Sequence, residues 1–254
     1  MSRTDLTGEP APLTPELDFL GKVASATSRR TFLKWAGVTI GVAAVAGAGA
    51  CSSDDNMTTP PPTGTDLGSG DVGLLNYAYA LEQLEAAFYT QVVANPYTGM
   101  TSAETTMLTD IRDHEVTHRD FLKAALGGSA IGALSVNFTS INFTSRASVL
   151  GAAKTFEDLG VSAYNGAAKL FSISTNGTTY LGLAGKIVSV EARHAAAIRD
   201  VLNPLSADFA GDDVVDSNGL DVVNTPSTVL NSTHAGAYVT TKITYSNLPN
   251  GGTQ

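Results

Sequence analysis

Two Glu-x-x-His motifs stand out in this chain because their side chains could bind metal ions. The motifs are Glu115/His118 and Glu191/His194, and single glutamates precede them at Glu82 and Glu157. A Glu and a His three residues apart lie on one face of an α-helix. Two such pairs and two further glutamates, supplied by four helices, can converge on two ions. The spacing therefore predicts a two-metal site inside a four-helix bundle.

Four helical stretches are predicted from the apolar spacing and from the residues that interrupt it. They run from about Asp71 to Ala94, from Thr101 or Ser102 to Gly127-Gly128, from Thr144 or Ser145 to about Ile173, and from near Thr178 to Leu202. The first and third connections are short, which predicts two antiparallel hairpins. The middle connection, residues 128 to 144, is long enough to be a crossover between them. The predicted fold is an all-α, four-helix bundle.

The candidate ligands fall on the apolar stripes of these helices. In the second helix, Glu115 and His118 lie between Leu108 and Leu122 at alternating steps of three and four, and the fourth helix repeats the pattern. Buried charges cost several kcal/mol unless they have partners. Lys154 is the one basic residue of the four stripes, so salt bridges could satisfy few of the carboxylates. Divalent metal is the better partner.

The two halves of the predicted bundle resemble a duplicated hairpin. A shift of 75 residues aligns Glu82 with Glu157, whereas Glu85 aligns with Gly160. Glu82 is therefore the better ligand of the two glutamates in the first helix. Glu85 stays open as a seventh ligand, a hydrogen-bond acceptor beside the ligands, a proton relay, or a carboxylate that reaches solvent.

The first 51 residues resemble an export signal. Ser28 to Lys34, with Arg29 and Arg30, resembles a twin-arginine motif, and the apolar stretch after it ends in Ala48-Gly49-Ala50-Cys51, which resembles a lipobox. The apolar stretch of residues 35 to 50 is shorter than the roughly 20 residues of a membrane-spanning helix. We expect export by the twin-arginine route and lipidation of Cys51. The lipid would anchor the chain in the cell envelope, on the periplasmic face or the cell surface.

The remainder divides into three parts. Residues 52 to 70 read as a disordered tether, residues 71 to 202 as the bundle, and residues 203 to 254 as an irregular, partly β extension packed on it. In the extension, Pro226 to Leu230 predicts a short helix. Tyr238 to Tyr245 predicts a strand, which could form a hairpin with the crossover.

Several stretches resemble the ferritin-like di-iron carboxylate superfamily, which includes bacterioferritin and rubrerythrin. They are Leu81 to Tyr89 (LEQLEAAFY), His114 to His118 (HEVTH) and Ala163 to Ala168 (AYNGAA). The similarity covers residues 72 to 202 and is greatest with the exported bacterial branch of ferritin-like domain proteins.

The resemblance implies roles for individual residues. The terminal carboxylates would be Glu82 and Glu157, the bridging ones Glu115 and Glu191, and the imidazoles His118 and His194. It also implies that Tyr89 and Tyr164 lie close to the ligands, although each could equally be a plain core aromatic. His114 is a weaker candidate because its counterpart in the fourth helix is Val190.

The ligand types limit the chemistry. Carboxylates with one imidazole per ion suit two iron ions, or alternatively manganese, better than zinc or copper. The resulting activity would be Fe(II) oxidation, reduction of oxygen or peroxide, or catalase-like peroxide disproportionation. The alternative is a non-catalytic envelope module with a structural or vestigial metal site. Whether the protein is an enzyme at all is open at this stage.

The charge of the chain narrows its partners. From Cys51 onward there are 10 Lys and Arg against 20 Asp and Glu, a formal net charge of −10. Nucleic acid is disfavoured, because phosphate binding needs a basic face. The expected partners are metal ions, dioxygen or peroxide, the membrane through the lipid anchor, and a second copy in a homodimer.

Overall fold

The computed structural model describes residues 64–231 and 233–249. Within them four long helices form two hairpins, in which α1 packs against α2 and α3 against α4. The helices are α1 Gly70–Ala94, α2 Ser102–Leu126, α3 Arg146–Ala168 and α4 Thr175–Leu202. The prediction of an all-α, four-helix bundle is confirmed. The predicted export motif with Arg29 and Arg30, the lipidation site Cys51, and residues 52 to 63 of the tether lie outside the described residues.

Side-chain caps set the beginnings of three of the four long helices. Thr101 and Glu104 form a capping box at the start of α2. Ser145 accepts a hydrogen bond from the third residue of α3, and Ser174 does the same at the start of α4. These caps satisfy backbone N–H groups that have no partner within the helix. None of the helices in the described part of the chain is both long and apolar enough to cross a membrane.

The connection between α3 and α4 lies earlier in the chain than predicted. α3 does not reach Ile173, and α4 begins before Thr178. The Ser172 N–H donates to Asp71 Oδ1 at 2.8 Å, and Ser174 serves as the cap of α4. Ile173 is fully exposed, so no burial of its side chain favours a longer α3. The Ser172–Asp71 contact depends on the tertiary structure and could not be read from the sequence, whereas the Ser174 cap is local and the sequence pattern overlooked it.

The start of the described chain is part of the fold. A two-residue strand β1 at Thr65–Asp66 pairs in parallel with β2 at Ile243–Thr244. The side chain of Leu67 is completely buried, and its carbonyl accepts a hydrogen bond from Asn76. The predicted disordered tether of residues 52 to 70 is therefore wrong at its C-terminal end. The buried Leu67 side chain, the pairing with β2 and the hydrogen bond from Asn76 together hold this segment, despite its polar composition.

The C-terminal extension packs on the bundle, as predicted. A short helix α5 at Pro226–Val229 matches the expectation, and the crossover contacts the extension through an antiparallel bridge between Val136 and Val239. The predicted strand at Tyr238 to Tyr245 shortens to the two residues of β2. The segment contacts Ser135 of the crossover through Thr240 and Thr241 and pairs with β1 only from Ile243 onward, so one strand does not pair with the crossover along its whole length.

The C-terminal extension packs closely against Gly166 of α3. The Asn224 N–H donates to Ser162 O at 3.0 Å, and a Cβ at position 166 would lie 1.8 Å from Asn224 O. We expect Gly166→Ala to displace the loop and to lower the free energy of unfolding by ~1–3 kcal/mol.

Gly151 is the matched control, because a Cβ there meets nothing within 4 Å. Gly151→Ala should stabilise α3 by about 0.5–1 kcal/mol. Urea unfolding followed by circular dichroism measures both effects. Equal shifts in the two variants would show that the loop does not depend on the glycine.

Candidate metal centre

Four glutamates and two histidines meet in the middle of the bundle. They form two groups, Glu82/Glu115/His118/Glu191 and Glu115/Glu157/Glu191/His194, in each of which one ligand atom per residue lies within 4.8 Å of the others. Glu115 and Glu191 belong to both groups. The structure therefore brings together all six residues that the sequence singled out, two from each of α2 and α4 and one from each of α1 and α3.

Regular helix geometry explains the convergence. In α2 the residues Leu108, Ile111, Glu115, His118 and Leu122 follow one another at steps of three and four; His118 is 12% exposed and the others are buried. A stripe with this spacing faces the centre of the bundle, because residues three or four apart share a helix face. α4 repeats the arrangement. The polar groups are thus carried inward by the same stripe that forms the core.

In the first group, the Nδ1 atom of His118 faces three carboxylates. It lies 2.8 Å from Glu191 Oε1, 3.5 Å from Glu82 Oε2 and 3.6 Å from Glu115 Oε2. The His118 side chain is only 12% exposed, and the three glutamate side chains are fully buried.

The second group has the same arrangement around His194. Its Nδ1 atom lies 2.8 Å from Glu115 Oε1 and 3.4 Å from both Glu157 Oε2 and Glu191 Oε2. Glu115 and Glu191 therefore each direct one oxygen toward His118 and the other toward His194. A carboxylate that bridges two ions must direct one oxygen toward each of them, and both glutamates are placed to do so.

The cluster leaves its polar atoms without hydrogen bonds. Among the described residues, ten buried side-chain N or O atoms have no hydrogen-bond partner, and eight of them belong to these six residues. The eight are Glu82 Oε2, both oxygens of Glu115 and of Glu191, Glu157 Oε2, and Nδ1 of His118 and His194. The contacts at 2.8 Å lack the direction of a hydrogen bond, although the distance is short enough. Atoms that converge on a common point in this way fit a metal ion.

In the metal-free cluster, the surrounding carboxylates favour the protonated form of both histidines. Burial lowers the pKa of each histidine, but the surrounding carboxylates outweigh it, raising the pKa of His194 to about 12 and that of His118 well above its usual range. Burial raises the pKa of Glu157 to about 7 and that of Glu115 well above its usual range. For Glu191, contacts with both histidines outweigh burial and lower its pKa to about 2. Cations would replace these protons at the same place.

Two tyrosines form hydrogen bonds with Glu82 and Glu157, each from the opposite hairpin. The Tyr164 hydroxyl on α3 donates to Glu82 Oε1 on α1 at 2.5 Å, and the Tyr89 hydroxyl on α1 donates to Glu157 Oε1 on α3. In each glutamate the other oxygen, Oε2, faces a histidine. The hydroxyls therefore orient each carboxylate toward the cluster. Sequence reasoning placed both tyrosines near the ligands but not the crossed pairing.

We expect Tyr89→Phe to destabilise the metal-free protein. The variant leaves Glu157 Oε1 buried without a donor, which costs ~1–3 kcal/mol. Tyr77→Phe is the control, because the buried Tyr77 hydroxyl has no hydrogen-bond partner among the described residues and its loss should be neutral or stabilising. Urea unfolding in the presence of a chelator compares the two. Equal losses would mean that the hydroxyl of Tyr89 does not stabilise the fold.

Glu85 is buried rather than exposed. Its side chain lies in the core, and its Oε1 would be 3.1 Å from a Cβ at Gly160, so the glycine leaves the space that this carboxyl group occupies. Burial raises the pKa of Glu85 well above its usual range, and the carboxylates of Glu115 and Glu191 add to the effect. The reading of Glu85 as a carboxylate that reaches solvent is wrong. It is also absent from both groups of converging ligand atoms.

His114 lies beside the cluster, outside both groups. Its Nδ1 is 2.9 Å from Nε2 of His194, on the side of the ring opposite to the carboxylates. The expectation of an extra ligand is therefore not met, whereas that of a supporting residue agrees with this contact. The partner could not be found from the sequence, because the two histidines are 80 residues apart.

The fold and its buried cluster place this protein among helical bundles whose facing helices bring together carboxylates and imidazoles that could hold metal ions. The family model of the ferritin-like domain matches residues 70–204, more than half of the chain. This chain belongs to that family, which confirms the resemblance read from the sequence. A comparison with curated proteins found no match.

Proposed function

We propose that this protein binds two metal ions, iron or alternatively manganese, and acts as an oxidoreductase on Fe(II), dioxygen or peroxide. The observation that carries the proposal is the set of eight buried ligand atoms that lack hydrogen bonds. Polar groups are rarely buried without partners, because each such group costs free energy. Six residues whose buried polar atoms lack hydrogen bonds at one place favour a site for cations over a structural salt-bridge cluster.

The donor set favours iron or manganese. Each group supplies three carboxylates and one imidazole, with no thiolate. Carboxylate oxygens are hard ligands, which suit iron and manganese in proteins better than copper or zinc. Cys51 is the single cysteine of the chain, so a cysteine-bound iron centre that could donate electrons is not encoded in this sequence.

The residues of the chain would divide the work as follows. Glu115 and Glu191 would hold both ions, Glu82 and His118 would hold one of them, and Glu157 and His194 would hold the other. Tyr89 and Tyr164 keep the terminal carboxylates oriented. When bound, two neighbouring ions supply a place for a two-atom ligand such as dioxygen or peroxide. The buried apolar stripes around the cluster exclude bulk water.

We further propose that the bundle is anchored in the cell envelope by a lipid on Cys51. Support comes from the order of the sequence features, in which Arg29 and Arg30 precede an apolar stretch that ends in small residues and Cys51. Export of a folded protein by the twin-arginine route would allow metal to be bound before export.

The anchor is tested with Cys51→Ala. We expect this variant to lose incorporation of labelled palmitate and to leave the membrane fraction, with Arg29→Lys/Arg30→Lys retained in the cytoplasm. Unchanged membrane association and labelling in Cys51→Ala would contradict the proposal.

The function is tested by metal analysis followed by gas consumption. Mass spectrometry of the protein purified without added metal should give about two iron or manganese ions per chain, one for each group. Oxygen or peroxide consumption on adding Fe(II) to the metal-free protein then distinguishes an oxidoreductase from an inert module. Bound metal without any consumption would favour the non-catalytic envelope module. The absence of bound metal, even after Fe(II) or Mn(II) is added, would contradict the metal site itself.

A further inference from the structure

His114 supports only one of the two histidines of the cluster. It lies on α2 one helical turn before His118, yet it contacts His194 on α4. The Nδ1 of His114 is 2.9 Å from His194 Nε2, and the two rings meet edge to edge, with centroids 5.1 Å apart and an angle of 10° between their planes. The contact is therefore a hydrogen bond between the edges of two nearly parallel rings.

This hydrogen bond bears on how His194 could bind an ion. Its Nδ1 faces the carboxylates of Glu115, Glu157 and Glu191. A neutral imidazole that offers the lone pair of Nδ1 to a metal carries its proton on Nε2. His114 Nδ1 would accept that proton's hydrogen bond, which fixes both the tautomer and the orientation of the His194 ring. Partners of this kind alter metal affinity by 10–100-fold, roughly, when they are removed.

The other half of the cluster lacks this support. In the pseudo-repeat the residue that corresponds to His114 is Val190, which cannot accept a hydrogen bond through its side chain. Within residues 64–231 and 233–249, the contacts of His118 are made through Nδ1 with carboxylates, and no hydrogen bond to its Nε2 is found. The two imidazoles are thus held differently, although the ligand atoms around them match.

We infer that His114 is a positioning residue that makes the two metal positions unequal. The position formed with Glu157 and His194 binds its ion more tightly and fills first, and the position formed with Glu82 and His118 fills second. This inference rests on the proposed two-metal site. It gives the site an order of loading that the symmetric ligand set alone would not give.

Calorimetric titration with Co(II) tests the order of loading without any turnover. The wild-type protein should bind two ions in separate steps. His114→Phe keeps an aromatic ring beside His194 but removes the acceptor, and it should weaken the tighter step about 10–100-fold while leaving the other unchanged. His114→Asn places an acceptor oxygen near the original Nδ1 and should restore most of the difference. Val190→His is the reciprocal variant and should tighten the second step.

Proton NMR of the Co(II)-loaded protein reports the hydrogen bond itself. The Nε2–H signal of His194 should exchange slowly with solvent in the wild type and rapidly in His114→Phe, whereas the signal of His118 should be the same in both. A merely structural role of His114 would not change one signal alone. Two equal binding steps that His114→Phe leaves unchanged would overturn this inference and leave the two-metal site intact. Failure of the wild type to bind Co(II), Fe(II) and Mn(II) would overturn both.

Discussion

A protein carrying both Glu115→Gln and Glu191→Gln is expected to lose stoichiometric binding of both metal ions. Each of the two glutamates belongs to both ligand groups, so the double substitution removes two of the three carboxylates from each group. Glutamine keeps the volume of the side chain but offers a single neutral oxygen. The two remaining ligands, one carboxylate and one imidazole per position, are too few for a stable site of this type.

Metal content after dialysis against micromolar Fe(II) or Mn(II) under anaerobic conditions measures this effect. Glu85→Gln is the matched control, because Glu85 is a buried glutamate in the same core that lies outside both ligand groups. Its raised pKa also favours the neutral acid, which glutamine resembles. The control should keep both ions. Retention of two ions by the double variant, with unchanged helicity, would contradict the assignment of the bridging ligands.

Removal of metal from the wild-type protein is expected to produce the second large effect, a loss of thermal stability. An ion that binds only the folded state stabilises it by about 2.7 kcal/mol when its free concentration is 100 times its Kd. Two such ions would contribute roughly twice as much. A change of 1 kcal/mol shifts the Tm by roughly 2–4 °C in a protein of this size. Chelation should therefore lower the Tm by about 10–20 °C.

The physical reason is the arrangement of the buried groups. Without metal, the carboxylates around His118 and His194 rely on histidinium protons and lack directed hydrogen bonds. Calorimetric melting with and without a chelator tests the expectation. The Glu115→Gln/Glu191→Gln variant is the control, and its Tm should not respond to the chelator. An identical Tm for the wild-type protein in both conditions would argue against any ion bound specifically to the folded state.

The sequence predicted the site because regular helices translate spacing into direction. Glu115 and His118 share a face with Leu108 and Leu122 whatever the rest of the fold does, since the helix period is fixed. The same holds for Glu191 and His194. When four stripes of this kind face a shared core, the glutamates and histidines on them are brought together there. The structure shows that arrangement.

The sequence-based predictions were wrong where contacts with distant residues outweigh the local sequence pattern. The segment ending at Leu67 was too polar to predict as folded, but β2 and Asn76 hold it in place from elsewhere in the chain. The end of α3 depends on Asp71, which accepts hydrogen bonds from Ser172. The residues around Leu67 and at the end of α3 do not themselves indicate these distant partners.

The sequence by itself determined the number of long helices, the two hairpins and the six residues that face the centre. The helices and the inward-facing residues follow from the helix period, and the hairpins follow from the short connections. Only the tertiary structure decided which oxygen faces which histidine, that Tyr89 and Tyr164 bond across hairpins, and that Glu85 is buried against Gly160. It also decided that His114 supports His194. These features depend on the relative rotation and height of packed helices, to within about an ångström. The spacing of residues along one chain does not encode those quantities.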